Sequence, residues 1–225
     1  MNVDVALTPE QASAATTTIV VDVLRATSTI AQALASGYRS ILCCAEIEDA
    51  RRLRSEIPGS IVGGERDATR IDGFDVGASP REFLEPRAET LILSTTNGTR
   101  AILVAAERSE NVLLGSLLNL GAVVSAAGTS GDVSILCAGF KGRFALDDAY
   151  CAGRIVALLG GTRSDSALAA ELLAQAYPNA SAGLNARTYG PPGLEQDIAF
   201  CAREDVLDVA PRLVDRSDSV ATIGL

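Results

Sequence analysis

Apolar positions along the chain fall into two alternating rhythms. Short β-rich runs, apolar at successive positions, predict strands at Val3 to Leu7, Thr17 to Val23, Ser40 to Cys44, Ser60 to Val62, Thr90 to Ser94, Val112 to Leu114 and Val133 to Cys137. Between them, helical spacing predicts helices at Thr27 to Ala35, Glu46 to Glu56, Gly98 to Arg108, Leu118 to Ala127, Leu146 to Leu159 and Ser164 to Ala176. Such alternation implies an α/β fold, a three-layer α/β/α arrangement with a mainly parallel or mixed sheet. Past Tyr177 the rhythm weakens. Gly190-Pro191-Pro192-Gly193 reads as a loop, Asp197 to Asp205 as a short helix, and Val214 to Ile223 as a terminal hairpin. No shift in composition marks a boundary, so residues 1–225 read as a single α/β domain, with no visible border between any two sublobes.

Two strands end alike. Thr17 to Val21 runs into Asp22-Val23-Leu24-Arg25-Ala26-Thr27-Ser28-Thr29, and Thr90 to Leu93 runs into Ser94-Thr95-Thr96-Asn97-Gly98-Thr99-Arg100. Each is a strand, a hydroxyl-rich loop with an arginine, and a helix start, where free N–H groups and the dipole favour anions. Hydroxyls at such positions also serve as ordinary helix caps. Two loops of one form, one opening on an aspartate, favour a site at the carboxyl ends of the strands. Candidate anion contacts are Arg25, Thr27, Thr95, Thr96, Asn97, Gly98 and Thr99.

Composition narrows the class. The 225 residues are 48% hydrophobic, enough for a full core, and carry a net charge of −9 with a pI near 4.6. A nucleic-acid backbone or an anionic membrane is therefore not the expected partner. The first ten residues have neither a basic nor an apolar leader segment, and Val112 to Gly128 is interrupted by Gly115, Ser116, Asn119 and Gly121. Five cysteines (Cys43, Cys44, Cys137, Cys151, Cys201) form no Cys-x-x-Cys pair and read as buried thiols of a cytoplasmic protein.

Histidine is absent, which removes imidazole bases, Ser-His-Asp triads and His-ligated zinc. Lys141 is the lone lysine beside eighteen arginines, and lysine offers a compact charge where a guanidinium does not fit. Gly63-Gly64-Glu65-Arg66 leaves a short strand, followed by Gly73-Phe74-Asp75 and Ser79-Pro80; an ordinary turn with a solvated ion pair would read the same. A further loop, Cys137-Ala138-Gly139-Phe140-Lys141-Gly142-Arg143, leads to Asp147 and Asp148 at a helix start, where acids also serve the dipole. Asp22, Glu65, Asp147 and Asp148, from separate strand ends, are the oxygen donors that Mg2+ requires. Arg25, Arg66 and Lys141 would offset phosphoryl charge.

Several of these segments, in order, resemble the 2-phosphosulfolactate phosphatase family. They are Val20-Val21-Asp22-Val23-Leu24-Arg25-Ala26-Thr27, Gly63-Gly64-Glu65-Arg66, Gly73-Phe74-Asp75 with Ser79-Pro80, Thr95-Thr96-Asn97-Gly98-Thr99, Cys137-Ala138-Gly139 with Lys141-Gly142, and Asp197-Ile198-Ala199-Phe200-Cys201-Ala202. The resemblance runs over residues 17 to 205. It implies an α/β/α fold and a Mg2+-dependent phosphatase that converts 2-phosphosulfolactate to sulfolactate, an early step toward coenzyme M. Four positions depart from the family pattern: Ala78 where asparagine is common, Asp147 in place of glutamate, and Asp67-Ala68 in place of Asn-Gly. A related small phosphorylated acid is therefore also an expected substrate.

Two mechanisms suit phosphate-ester cleavage. Mg2+ held by Asp22 and the acids near Asp148 could activate water, or Asp22 could itself attack phosphorus. Leu24 stands where a haloacid-dehalogenase-type enzyme needs a second aspartate, which favours the first. Cys137 is a third candidate nucleophile, since Arg143 follows with five residues between them, although a buried structural cysteine is commoner. Asp22, Lys141 and Asp148 are the expected catalytic residues. The expected partner is a small phosphorylated acid, with a homo-oligomer left open. The alternative function is a non-catalytic binder of a phosphorylated or sulfonated acid, which would need no metal.

Overall fold

A computed structural model describes residues 1–190, 192–217 and 219–225, so Pro191 of the expected loop and Asp218 of the expected hairpin lie outside the described residues. In chain order the elements begin with β1 (Asn2–Ala6), β2 (Thr17–Val21), α1 (Ala26–Ser36), β3 (Ser40–Cys44), α2 (Ile47–Glu56), β4 (Ile61–Arg66) and β5 (Thr69–Arg70). There follow β6 (Thr90–Ser94), α3 (Gly98–Arg108), β7 (Asn111–Gly115), α4 (Leu120–Ala127), β8 (Val133–Cys137), α5 (Leu146–Leu158), β9 (Thr162–Arg163) and α6 (Asp165–Gln175). The chain closes with α7 (Ala180–Asn185), α8 (Glu195–Cys201), β10 (Arg212–Arg216) and β11 (Val220–Gly224). All seven strands and six helices expected from the periodicity are present. The helix expected at Asp197 to Asp205 starts two residues earlier and stops at Cys201, and α7 was hidden in the weakly patterned region.

Local chemistry accounts for the main boundaries. The run Thr17–Val21 is β-branched throughout and wholly buried, as a central strand requires. Helix α1 ends on Gly37, whose φ of 110° puts it in the left-handed region that closes helices. Ser164 caps α6 by accepting from the Ala167 N–H at 3.1 Å.

The described strands form one mixed sheet in the order β5-β4-β6-β3-β11-β10-β7-β2-β8-β1-β9. Strands β4, β6 and β3 are mutually parallel, and so are β7, β2, β8 and β1. The carboxyl-terminal hairpin lies between these groups, β11 antiparallel to β3 and β10 antiparallel to β7, so the groups run in opposite senses. On one face α1 and α3 serve both groups: Ile30, Leu34, Ile102 and Ala105 pack with Val20, Leu114 and Leu136 from one, with Ile41 and Leu93 from the other, and with Ile223 of the hairpin. The other face is covered by α4, α5 and α6 over one group and by α2 over the second. This is the α/β/α layering expected. Among the described residues no helix is long and apolar enough to cross a membrane.

Although the groups run oppositely, the loops after β2 and β6 meet. A Cβ added at Gly98, which opens α3, would stand 2.4 Å from the Ala26 Cβ at the start of α1. Strand-to-strand twist of about 20–25° over the steps that separate β2 from β6 turns one carboxyl end back toward the other. Helix α5, which carries Asp147 and Asp148, is clamped against α6: a Cβ at Gly153 would lie 2.0 Å from the Ala170 carbonyl oxygen. Gly153→Ala should therefore destabilise the protein by about 1–3 kcal/mol, as overpacking of a tight contact does. Urea unfolding would measure this, and an unchanged midpoint would show that α6 moves aside freely.

Candidate active site

A pocket opens where the two helix starts meet, walled by Asp22, Glu65, Asp147 and Asp148. Asp22 follows β2, Glu65 is the last residue but one of β4, and the other two lie in the first turn of α5. Asp148 ties strand ends together: its Oδ1 accepts from the Val23 N–H at 2.9 Å and its Oδ2 from the Gly139 N–H at 3.0 Å. Asp147 accepts from the Asp148 N–H at 3.1 Å and from the Tyr189 hydroxyl. Glu65 accepts from the Thr96 N–H and hydroxyl at 3.0 and 2.9 Å through Oε1, and from the Ala68 N–H at 2.6 Å through Oε2. Asp22 Oδ1 accepts only a 3.3 Å bond from the Ala26 N–H, and its Oδ2 has no hydrogen-bond partner among the described residues.

Burial and mutual repulsion set the acidity. Burial first, then the charges of Glu65 and Asp147, lift Asp22 from 3.8 to about 7 against the pull of the Ala26 N–H and Arg25. Burial also raises Asp147, and burial together with Asp147 and Asp22 raises Asp148 well above the carboxylate range. The cations of the pocket wall are Arg25, Lys141 and Arg187. Arg25 Nη1 meets Asp197 Oδ2 at 2.7 Å, behind the wall, and Ser79 Oγ donates to the other Asp197 oxygen at 2.6 Å. Lys141 Nζ meets Asp67 Oδ1 at 2.7 Å, with both side chains more than half exposed. Five acids (the four above and Asp67) thus face three cations on the wall, an excess of two negative charges when all are ionised.

The structure sorts the expected contacts. Arg25, Thr95, Thr96, Asn97 and Lys141 line the pocket; Thr27, Arg66, Gly98 and Thr99 do not. Thr27 instead grips the Asp22 backbone, its hydroxyl donating to the carbonyl oxygen at 2.9 Å. Arg66 follows Glu65 in a strand, so it points to the opposite face, where it donates to the Ala45 carbonyl and to Ser94 Oγ at 2.7 and 3.1 Å. Thr99 is buried with its N–H on Thr95 Oγ1 at 3.2 Å, and Gly98 leaves room that Asp22 Oδ2 fills. The expected anion cradle already holds an anion: Glu65 takes the Thr96 donors. Cys137 is wholly buried, and burial with the charges of Asp148 and its neighbours holds its thiol well above the ordinary range, so it is no thiolate nucleophile here. The five cysteines are free and buried, as expected.

Sequence reasoning missed Arg187, Tyr189 and Asp67 on the wall and Asp197 behind it. Asp197 lay within a segment of the family resemblance and was readable there; Arg187 and Tyr189 sit in the stretch without periodicity. As the side chains stand, no three His, Cys, Asp or Glu residues among the described ones converge closely enough to hold a metal ion. The unpartnered Asp22 oxygen and the surplus of buried acid nevertheless suit Mg2+, which keeps much of its water and needs only one or two carboxylates.

The departure at Asp67-Ala68 has a geometric meaning. These residues form the two-residue turn between β4 and β5, with φ of 50° and 59°, the conformation for which Asn-Gly is favoured. Ala68→Gly should relieve left-handed strain and stabilise the protein by about 1 kcal/mol, net of glycine's extra unfolded freedom. A rise in the urea midpoint would register it; a fall would mean that the turn is not strained. The Asp22 shift yields a second expectation. Its folded pKa, near 7, lies above its ordinary 3.8, so the metal-free protein should lose stability as pH rises from about 4 through 7. In chelator, the melting temperature of Asp22→Asn should fall less over that range than that of the unaltered protein, and identical slopes would clear Asp22 of the effect.

Comparison with known proteins identifies the family. A family model described as 2-phosphosulpholactate phosphatase matches residues 4–216. Proteins named probable 2-phosphosulfolactate phosphatase in Thermotoga petrophila and Thermotoga maritima are each 38% identical over 221 residues, covering 95% of this chain and 96% of theirs. One of the same name in Synechococcus sp. (strain JA-3-3Ab) is 37% identical over 227 residues, covering 92% and 93%. The chain belongs to the 2-phosphosulfolactate phosphatase family.

Proposed function

We propose that this chain hydrolyses 2-phosphosulfolactate, or a closely related small phosphorylated acid, to the free hydroxy acid and phosphate with the aid of Mg2+. The observation that carries the reading is the group of buried carboxylates gathered at converging strand ends, with one Asp22 oxygen left unpartnered among the described residues. Asp22, with its unpartnered oxygen, would hold the metal first, with Asp147 and Asp148 beside it and Glu65 completing the acidic wall. When bound, Mg2+ supplies two positive charges and Lewis acidity toward the phosphoryl oxygens.

The remaining work falls to the chain. Arg25, fixed on one side by Asp197 and by a 3.3 Å bond to the Ala68 carbonyl, presents a preset guanidinium edge to a phosphoryl group. Lys141 can leave its exposed partner Asp67 and meet the charge that develops on the equatorial oxygens. Asn97 holds the Lys141 backbone, accepting its N–H at 3.1 Å, so the loops after β6 and β8 stay in register. Leu24 and Leu194 line the same wall with Phe140 and Tyr189 and limit the entry of bulk water.

The test is phosphate release from 2-phosphosulfolactate, with and without chelator. Turnover should need Mg2+, and Asp22→Asn should lower kcat on the order of a hundredfold or more, because a metal ligand carries several kcal/mol of transition-state stabilisation. Tight sulfolactate binding with no phosphate release under any divalent cation would point to the non-catalytic binder instead.

A further inference from the structure

We infer that Arg187 reads the second anionic group of the substrate, the carboxylate or sulfonate, and so makes the pocket selective for phosphate esters that carry another negative charge. The inference rests on the hydrolytic reading above for the phosphoryl half of the substrate. Arg25 and Lys141 already have carboxylate partners at 2.7 Å, whereas Arg187 forms no ion pair among the described residues. Among the described residues its one hydrogen bond runs from Nη1 to the Tyr189 carbonyl at 2.8 Å. A guanidinium has five N–H donors, so a forked edge is left for a ligand.

The segment around Arg187 is built to hold it at the pocket. The Tyr189 ring stacks on Phe140 with centroids 4.6 Å apart, and its hydroxyl donates to Asp147. Gly190, with a φ of +92°, lets the backbone pass under the guanidinium; a Cβ there would stand 2.3 Å from Arg187 Nη1. The side chain is half-buried, so a contact made there is only partly screened by water. Asp147 is the competing partner, since Arg187 draws its pKa down, yet the two do not pair directly. A carboxylate or sulfonate offers the paired oxygens that such a fork accepts, and a site with that donor rejects an analogue lacking the acceptor.

Kinetics with the full chain test this. The substrates are 2-phosphosulfolactate, 2-phospholactate, which has only the carboxylate, and isopropyl phosphate, which has neither second anion. Arg187→Gln should reduce the selectivity for 2-phosphosulfolactate over isopropyl phosphate, as a ratio of kcat/KM, at least tenfold, and Arg187→Lys should restore part of it. If selectivity for 2-phospholactate falls equally, the carboxylate is the group read; if it does not, the sulfonate is. An unchanged 2-phosphosulfolactate ratio, whether both rates fall together or neither does, overturns the inference. Calorimetry with sulfolactate separates it from the hydrolytic reading, because no bond is broken. A tenfold loss of sulfolactate affinity in Arg187→Gln would uphold the role of Arg187 even in a protein that releases no phosphate. Equal affinity in both proteins would overturn that role while phosphate release still stood.

Discussion

Carboxylates forced together out of water are the constraint around which this structure is arranged. Asp22, Asp147 and Asp148 are nearly inaccessible; burial raises all three pKa values, Asp147 raises Asp22 and Asp148 further, and Asp22 adds to the rise of Asp148. Ionised carboxylates are costly to bury without compensation, so such a group persists only where other forces hold it. Those forces are backbone donors: Asp148 spans the ends of β2 and β8, and Glu65 clips the loop after β6 to the turn after β4. What the donors do not offset is met by proton uptake, since the raised pKa values favour the neutral acids. Such a cluster costs stability, as functional sites commonly do.

Convergence of these acids depends on a sheet whose halves run in opposite directions. A purely parallel sheet would set its ligand loops along one edge, at a switch of strand order. Here the hairpin β10–β11 reverses the sense, and α1 and α3 fill the space that both halves face. The join is slender on one side: β10 meets β7 through the Arg212–Leu113 pair and the Leu114 N–H to Pro211 carbonyl bond at 2.8 Å. Much of the cohesion between halves therefore comes from the shared helices, whose starts are also the floor of the pocket. Core packing and site geometry are set by the same two elements.

Periodicity made the elements legible but not their placement. The terminal hairpin was readable from its own pattern, whereas its seat in the middle of the sheet depends on contacts with β3 and β7, both far away in the sequence. Asp22, Glu65, Asp147 and Asp148 were legible because acids at strand ends or helix starts are conspicuous among apolar neighbours. Arg66 was misjudged because strand alternation sends adjacent residues to opposite faces, and which face the site lies on is a tertiary fact. Thr27 and Thr99 show a similar limit: a hydroxyl at a helix start serves the protein's own loop, as these do on the Asp22 carbonyl and the Thr95 hydroxyl, or a ligand, and sequence does not distinguish them. Arg187 and Tyr189 left no signal of any kind, since an irregular segment has no rhythm to mark which side chains it turns inward.

The departures from the family pattern bear on how the pocket's mouth is tuned. Asp67 and Ala68 keep the turn that Asn-Gly would form more easily, and Ala68 there gives its N–H to Glu65 and its carbonyl to Arg25. That turn links the acidic wall to the arginine, so strain in it is shared with the groups that would meet a phosphoryl group. Asp67 adds a carboxylate at the rim that occupies Lys141. An asparagine would leave the lysine unpaired and always available; an aspartate makes its release conditional on a stronger anion arriving. Together with Arg25, whose partner Asp197 is buried, this leaves the cations of the pocket graded: one fixed, one releasable and one open.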